Sequence, residues 1–328
     1  MISVLGIENP LIDIIMHADY SVFKDLNAAP GTMNLVERST VDKILSTRTP
    51  STILSGGSCS NTIRGLAWLI ETSPSLEKPA FIGAVGDDQQ GREYEKILIQ
   101  HGVIPYLVKK CTQTGVSAII VTPDHERTMF TYLGACRELS KEDVNDQVLK
   151  SAKYLHMTGY MWDTTNQEIV AHTSIKKARK KGIFISFDLA DPFVVHRYGR
   201  KLKAWLPGKI DLLFANREEL ATITGITDGD ETIIRTAGEI SPLVVMKTGK
   251  DGCLILSDGV VERVPGEKVT PLDTTGAGDS FAAGFLYGLL TGKSPDRCGR
   301  LANRLASRIV TIDGCDYQKL DRNEILSR

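Results

Sequence analysis

The stretch LDTTGAGDSFAAGFLYGLL (residues 272–290) passes from a polar, glycine-rich beginning to a long apolar run. The apolar half predicts a buried helix, and the two glycines predict a tight turn at the N-terminus of that helix. Free backbone N–H groups and the positive end of the helix dipole make such a turn a site for anions. Asp279 comes directly after the turn. A carboxylate at this position either caps the helix or lies beside a bound anion as a reactive group.

Two common phosphate-binding motifs do not account for this turn. A dinucleotide-binding fingerprint needs a third glycine where the chain has Phe281. A P-loop needs an earlier glycine in register with Gly292-Lys293-Ser294, and that position is Tyr287. Both motifs also require a strand before them and a helix after them. The anion site predicted at the turn is therefore of another kind.

The composition excludes several classes of protein. The chain has 328 residues, of which 42% are hydrophobic and 24% charged, which is ordinary for a globular protein. Its 39 Lys and Arg nearly balance its 40 Asp and Glu, so no net field attracts nucleic acid or an anionic membrane. No apolar run is long enough to span a bilayer, and the N-terminal residues do not resemble a signal peptide. The six cysteines form no metal-binding pattern, so we expect reduced thiols in a cytoplasmic protein.

Short apolar runs that end in Gly, Asp or Asn alternate with amphipathic segments along the chain. These runs are residues 3–7, 80–86, 153–159, 183–188, 210–216 and 243–249. The alternation predicts an α/β fold, with a Rossmann-like, mostly parallel central sheet and helices on both faces. Ligands on such sheets bind beyond the carboxyl ends of the strands.

Two regions, residues 14–40 and 104–133, have irregular or alternating patterns instead. Within GVSAIIVTPDHERTMFTYLGA (115–135), Pro123 and Asp124 predict the turn of a β-hairpin. We expect these regions to form a small β-sheet lid on a single domain that comprises residues 1–328. The edges of the lid could pair two subunits into a homodimer, and the sequence leaves that question open.

Four motifs resemble those of the PfkB family of carbohydrate kinases, and they occur in the order of that family. DTTGAGDSFAAGF (273–285) resembles its C-terminal signature, and SGGSCSNTIRGLAWL (55–69) with FIGAVGDDQQG (81–91) resembles its N-terminal signature. ANREE (215–219) resembles its NxxE motif, and KTGKDG (247–252) resembles a strand end on its nucleotide side. The resemblance covers the whole chain. It implies a ribokinase-like fold with a β lid, ATP as the phosphate donor, and Mg²⁺.

The resemblance gives the glycine turn a chemical role. Phosphoryl transfer needs a base for the proton of the acceptor hydroxyl and donors for the charge of the phosphate. Asp279 is implied as the base. The amides of Gly276, Ala277 and Gly278 are implied as the anion hole for the transferring phosphate.

Asn216 and Glu219 are implied as the residues that organise Mg²⁺ and its waters. Mg²⁺ keeps several water ligands and takes few from a protein, so such a sparse set is chemically sufficient. The alternative is an ordinary helix start, with Asn216 as the cap and Glu219 in the first turn.

Further residues are implied on the ATP side. Lys247, Thr248 and Gly249 would contact the phosphate or ribose of ATP, or else form a plain junction between a strand and a turn. Asn303 would lie near the adenine, or else be an exposed helix residue. Arg127 follows the hairpin turn; it reaches a phosphate when the lid closes, or it is exposed.

The acceptor side resembles the adenosine kinases of the family, which have a stretch similar to NPLID (9–13). Asp13 would accept hydrogen bonds from two ribose hydroxyls, unless it is only a turn residue. Asn61 would bind a ring hydroxyl, unless it caps a helix. The implied substrate-binding residues are Asn9, Asp13, Gly56, Gly57, Ser58 and Asn61.

Other features of the acceptor side remain open. Many adenosine kinases have a glycine where this chain has Glu8. Phe130 and Tyr132 alternate in the lid, either as a platform for the base or as a packed β face. Asp188 and Asp191 follow a strand and are either acceptor contacts or ordinary strand-end residues. The hypotheses are therefore an adenosine kinase, a free-sugar or sugar-phosphate kinase, and a non-catalytic ligand sensor on the same fold.

Overall fold

The computed structural model describes residues 1–26, 28–124 and 126–327. The strands of this part of the chain are β1 (Ile2–Ile7), β2 (Leu11–His17), β3 (Met33–Leu35), β4 (Thr52–Gly56), β5 (Ala80–Gly86), β6 (Ile104–Lys110), β7 (Gly115–Val121), β8 (Arg127–Tyr132), β9 (Ala152–Thr158), β10 (Phe184–Asp188), β11 (Leu212–Asn216), β12 (Leu243–Lys247), β13 (Cys253–Ser257) and β14 (Val260–Val264). The α-helices are α1 (Val22–Leu26), α2 (Arg38–Ser46), α3 (Ser58–Ile70), α4 (Gln89–Gln100), α5 (Asp146–Lys150), α6 (Thr165–Lys180), α7 (Pro192–Trp205), α8 (Arg217–Thr224), α9 (Asp230–Ala237), α10 (Ala277–Leu290), α11 (Pro295–Ile309) and α12 (Arg322–Leu326). Among the described residues, no helix combines the length and the apolarity needed to cross a bilayer.

The larger sheet contains nine strands in the order β14-β13-β12-β11-β10-β9-β1-β5-β6. From β12 to β6 all neighbours pair in parallel, and β13 and β14 add an antiparallel hairpin at one edge. Central strands such as β1 and β5 are buried along their whole length, because helices cover both faces of the sheet. The α/β prediction is confirmed.

Two layers of helices produce this burial. Apolar residues of α6, α7, α8 and α9 pack on one face of the sheet. Residues of α3, α10 and α11 pack on the other face. The helix α10 is buried at every position from Ser280 to Gly288, as its apolar sequence predicts. The carboxyl ends of the parallel strands and the N-termini of α3 and α10 consequently meet at one edge of the sheet.

The smaller sheet covers that edge and has the strand order β3-β8-β7-β2-β4. Its predicted hairpin is confirmed, because β7 and β8 pair antiparallel on either side of Pro123 and Asp124. The strands β2 and β7 pair in parallel, as do β3 and β8. The edge strands β3 and β4 are where the predicted pairing of two subunits would occur.

The bounds predicted for the lid were wrong at two places. Residues 104–110 form β6, which pairs with β5 at the edge of the larger sheet. The lid instead begins at Leu11 and takes its last edge strand, β4, from Thr52–Gly56. An edge strand is half exposed on either sheet, so the partly polar pattern of β6 did not distinguish the two.

Candidate active site

The glycine turn adopts the geometry that its sequence predicts. Gly276 has φ +72°, in the left-handed region, and α10 begins at the next residue. A Cβ atom at Gly276 would lie 2.5 Å from Sγ of Cys315, so both the conformation and the space require glycine. The turn opens onto a cavity of about 240 Å³ between the larger sheet and the lid.

One face of the lid forms the roof of this cavity. Its lining residues are Leu11, Asp13, Met33, Leu35, Ser117, Ile119, Arg127, Met129 and Thr131. In β8 the odd-numbered positions therefore face the cavity, whereas Phe130 is only 2% exposed and packs in the core on the other face. Tyr132 also packs against that core. Of the two interpretations of this pair, the packed β face is correct.

Asp279 lies in the first turn of α10 and is held by two donors from α3. Its Oδ1 accepts a hydrogen bond from Oγ of Ser58 at 2.7 Å, and its Oδ2 accepts one from Nδ2 of Asn61 at 2.8 Å. Burial raises the pKa of Asp279, and the two hydrogen bonds partly oppose that rise. A carboxylate with a raised pKa is a stronger base. Ser58 and Asn61, which we predicted to bind substrate, thus orient the predicted base while also lining the cavity.

The amides of the turn are not all free. The N–H of Ala277 donates to the carbonyl oxygen of Thr274 at 3.2 Å. Among the described residues, the amides of Gly276 and Gly278 have no backbone hydrogen-bond partner. These two N–H groups are orphan donors at a helix N-terminus, where an anion is favoured.

Lys247, at the end of β12, brings a positive charge to the same turn. Its Nζ lies 3.2 Å from the place where a Cβ of Gly278 would be, and it donates to Oδ2 of Asp188 at 2.7 Å. Burial alone would lower the pKa of Lys247, but the carboxylates of Asp188 and Glu219 raise it above its usual value. The side chain therefore stays charged beside the turn.

Asp188 is a site residue that the sequence did not distinguish from an ordinary strand end. It is 2% exposed, ends β10 and lines the cavity. The available signal was its position at the carboxyl end of a parallel strand close to the strand that ends in Lys247. Asp191 also lines the cavity, and it caps α7 through the N–H of Phe193.

Asn216 and Glu219 form a reciprocal capping box at the start of α8. The N–H of Glu219 donates to Oδ1 of Asn216, and the Glu219 carboxylate accepts from both the backbone N–H and Nδ2 of Asn216. Burial raises the pKa of Glu219 to about 8. The structure therefore shows the ordinary helix start, and the role of Asn216 and Glu219 in organising Mg²⁺ stays a prediction.

The remaining residues predicted on the ATP side lie outside the cavity. Gly249 is exposed in a left-handed turn, and Thr248 precedes it. Asn303 is 6% exposed, so the alternative of an exposed helix residue is wrong. Its Nδ2 donates to the carbonyl oxygens of Val264 and Pro265 at 3.3 and 3.1 Å. The predicted adenine contact of Asn303 stays a prediction.

Several residues predicted for the acceptor line the same cavity. Asp13 faces the cavity from β2, and burial raises its pKa to about 7 although Arg127 and Arg64 oppose that rise. Gly56 lies behind Asp13, where any side chain would collide with the carboxylate.

The loop before α3 and the residues that follow β1 also line the cavity. Gly57 has φ +92° and lets α3 start against the carbonyl group of Asn9. Asn9 is buried, and its Oδ1 accepts a hydrogen bond from Nε2 of Gln167. Asn9 and Gly57 both line the cavity.

Arg127 connects the lid to the glycine turn. Its Nη1 donates to Oγ1 of Thr275 at 2.5 Å, and the side chain lines the cavity. The alternative of an exposed hairpin arginine is wrong. The contact joins residues 148 positions apart, so no local pattern pointed to it.

Comparisons with known proteins show which family this chain resembles along most of its length. A model of the pfkB family of carbohydrate kinases matches residues 36–322. A nucleoside kinase from Methanothermobacter thermautotrophicus is 32% identical over 76% of this chain and 78% of its own length. The structure of an adenosine kinase from Sinorhizobium meliloti superposes with a TM-score of 0.89 at 32% identity, covering 96% of this chain and 95% of the other. A probable sugar kinase from Rhizobium etli CFN 42 gives a TM-score of 0.92 at 32% identity, with 99% and 98% covered. The chain therefore belongs to the pfkB family of carbohydrate kinases and is an ATP-dependent kinase.

Proposed function

We propose that this kinase transfers the γ-phosphoryl group of ATP to the primary hydroxyl of a nucleoside, and that adenosine, converted to AMP, is its acceptor. The observation that supports this most directly is the carboxylate of Asp279 at the tip of α10, next to orphan backbone amides and facing the cavity. The names of the nucleoside kinase and the adenosine kinase to which the chain is similar favour a nucleoside.

Asp279 accepts the proton of the primary hydroxyl as its oxygen attacks the γ-phosphorus, and ADP leaves with the bridging oxygen. The amides of Gly276 and Gly278, with Ala277 once its bond to Thr274 opens, stabilise the charge on the transferring phosphate. Lys247 adds a positive charge beside them. Arg127 is close enough to the turn to take part when the lid is closed.

Ribose binds in the part of the cavity that Asp13 lines. Asp13 accepts hydrogen bonds from two ribose hydroxyls, and Asn9, Gly57, Ser58 and Asn61 surround the sugar. A site built on such paired hydrogen bonds strongly rejects an acceptor that lacks either hydroxyl. Gly56 serves by making room for the Asp13 carboxylate.

The lid supports a base over a free sugar. Six large aliphatic or sulfur-containing side chains line the cavity and suit a flat apolar ring: Leu11, Leu35, Ile119, Leu133, Met33 and Met129. A free sugar would leave this surface without an apolar partner.

Charge supports an uncharged acceptor over a sugar phosphate. Six carboxylate side chains line the cavity, namely Glu8, Asp13, Asp163, Asp188, Asp191 and Asp279. Only two cationic side chains of the described lining residues oppose them, Arg127 and Lys247, and both lie near the glycine turn. A second phosphate on the acceptor would find few basic side chains left to pair with it.

Mg²⁺ fits this site only with a small share of protein ligands. The described residues contain no cluster of three or more Asp, Glu, His or Cys side chains arranged for a metal ion. Glu219 and Asn216 offer hard oxygen donors that would hold Mg²⁺ through its waters, and the phosphates of ATP supply the rest. When bound, Mg²⁺ neutralises charge on those phosphates. Lys247, Thr248, Gly249 and Asn303 complete the proposed ATP side.

A coupled assay for ADP tests the proposal on a panel of adenosine, other nucleosides, ribose, fructose and fructose phosphates. We expect ADP release that depends on adenosine and on Mg²⁺. Turnover of a free sugar with none of any nucleoside would instead support a sugar kinase, as the similarity to the Rhizobium etli protein allows. Nucleoside binding without ADP at saturating Mg·ATP would indicate a ligand sensor.

A further inference from the structure

Glu8 directly follows β1 and lines the cavity, yet its carboxylate forms hydrogen bonds within the protein. The residue is 1% exposed. One carboxylate oxygen accepts a hydrogen bond from the backbone N–H of Cys59 at 2.9 Å. The other accepts one from the hydroxyl of Thr158 at the end of β9. A single side chain thus joins β1, β9 and the first turn of α3.

The first turn of α3 lacks a cap of its own. Its N-cap residue is Gly57, which has no side chain to accept a hydrogen bond from the first N–H groups of the helix. Glu8 supplies that acceptor from another strand. A buried N–H without an acceptor is unfavourable, so the bond of Glu8 to Cys59 stabilises the position of this turn.

The same turn of α3 holds the proposed base. Ser58 and Asn61, on either side of Cys59 in the chain, donate to the two oxygens of the Asp279 carboxylate. Because a helical turn is rigid, a shift of the Cys59 amide moves both donors together. Small displacements of a reacting group are costly: about 1 Å can reduce a rate by roughly 100-fold.

We propose that Glu8 is a positioning residue for the base, which acts by anchoring the first turn of α3 so that Ser58 and Asn61 keep the Asp279 carboxylate aligned with the acceptor hydroxyl. This inference rests on the proposed function, because it takes Asp279 as the base. It assigns Glu8 no contact with the reacting atoms.

The charge state of Glu8 indicates which substitution preserves the anchor. Burial raises the pKa of Glu8 to about 8, although the bonds from Thr158 and Cys59 oppose that rise. The carboxyl group therefore carries a proton over much of the neutral range. Glutamine has the same shape, is neutral, and keeps an oxygen that accepts from the Cys59 amide. Alanine removes the anchor altogether.

The test compares Glu8→Gln and Glu8→Ala with wild type and with Leu5→Ala, a cavity-forming change in the same strand that lies outside the anchor. For Glu8→Ala we expect kcat to fall between about 10- and 100-fold, with a smaller rise in KM for the acceptor because Ser58 and Asn61 also surround the sugar. Glu8→Gln should restore kcat to within about threefold of wild type. Leu5→Ala should lower Tm at least as much as Glu8→Ala while its kcat per folded molecule stays near wild type.

An unchanged kcat in Glu8→Ala would overturn the inference, as would equal losses of kcat in Glu8→Ala and Leu5→Ala. Glu8→Gln as impaired as Glu8→Ala would overturn the anchoring role. A crystal structure of Glu8→Ala tests the anchoring role of Glu8 independently of any activity measurement. We expect Ser58 or Asn61 to have moved away from Asp279, and retention of both contacts would contradict the inference even if the acceptor proves not to be a nucleoside. A wild-type enzyme inactive on the whole nucleoside panel would count against the proposed function alone.

Discussion

The N-termini of α8 and α10 both carry an acidic residue in the first helical turn, but the two carboxylates have different surroundings. At α8, Glu219 and its cap Asn216 satisfy each other within four consecutive residues. At α10, the cap position is Gly276, which has no side chain, and the donors to Asp279 come from α3. A capping box satisfies backbone amides at the start of its own helix, whereas a glycine turn leaves amides open for a ligand. The α10 terminus is therefore the one suited to phosphate chemistry.

Lys247 connects these two helix termini. Its Nζ donates a hydrogen bond to Asp188 and lies next to Gly278. Its charge also opposes the rise that burial causes in the pKa of Glu219. The cation is partly buried, with 15% of its side chain exposed. Substitutions at α10, at Lys247 and at α8 should accordingly have effects of decreasing size on turnover.

The largest expected effect is that of Asp279→Asn. We expect kcat to fall roughly 10²–10⁴-fold, because the amide cannot accept the proton of the acceptor hydroxyl. Nucleoside binding, measured by calorimetry, should persist because Asp13 and the lid are intact. A large rise in the dissociation constant with a nearly unchanged single-turnover rate would contradict the role of Asp279 as base.

Lys247→Met should lower kcat by roughly 10²-fold, because a charged donor next to the transferring phosphate is lost. It should also lower the free energy of unfolding, measured in urea, by about 3 kcal/mol, since Asp188 then remains buried without its partner. The double variant Lys247→Met with Asp188→Asn is the control. It should regain most of the stability and none of the rate, and a recovery of kcat in the double variant would exclude a phosphate role for Lys247.

Asn216→Ala tests whether the pair of Asn216 and Glu219 has a role beyond capping α8. Loss of the cap should lower the free energy of unfolding by about 1 kcal/mol. If Asn216 also organises Mg²⁺, the variant should need a higher Mg²⁺ concentration for half-maximal turnover. A stability loss with an unchanged Mg²⁺ titration would leave the capping box as the only function of this pair.

The smallest expected effect is a pH dependence of stability. Burial raises the pKa of both Glu8 and Glu219 from 4.5 to about 8, so the folded chain holds protons there that the unfolded chain releases. The stability linked to these protons is fully present below pH 4.5 and is lost as the pH rises through 8. We therefore expect a higher Tm at pH 7 than at pH 9, and a smaller difference in Glu219→Gln. A Tm that increases from pH 7 to pH 9 would contradict these shifts.

Much of the fold could be predicted from local patterns. Continuous apolar runs such as 80–86 indicated a sheet buried on both faces, and the polar-to-apolar change at 272–290 indicated the helix that carries Asp279. The lid was predicted only in outline. Its strand β4 is short, and β6 is only partly buried, as an edge strand of either sheet would be, so the sequence pattern did not indicate to which sheet each belongs.

The candidate site was predicted as a set of residues but not as a set of contacts. Asp13 and Asp279 line one cavity, as predicted. Asn303 was predicted near the adenine; its amide donates to two backbone carbonyl groups, and the adenine contact stays a prediction. The side chains of Glu8 and Arg127 were assigned no firm role, since nothing next to them in the chain indicates their partners.

The amino-acid sequence alone was enough for the parallel sheet, the glycine turn and the acidic residue after it, because these depend on the order of neighbouring residues. Only the tertiary structure decided that Ser58 and Asn61 orient Asp279 across 221 and 218 positions, and that Arg127 reaches Thr275 across 148. It also decided that Glu8 caps α3. Hydrophobic periodicity reports which face of an element is buried, whereas these hydrogen bonds depend on how separate elements pack and therefore leave no local signal.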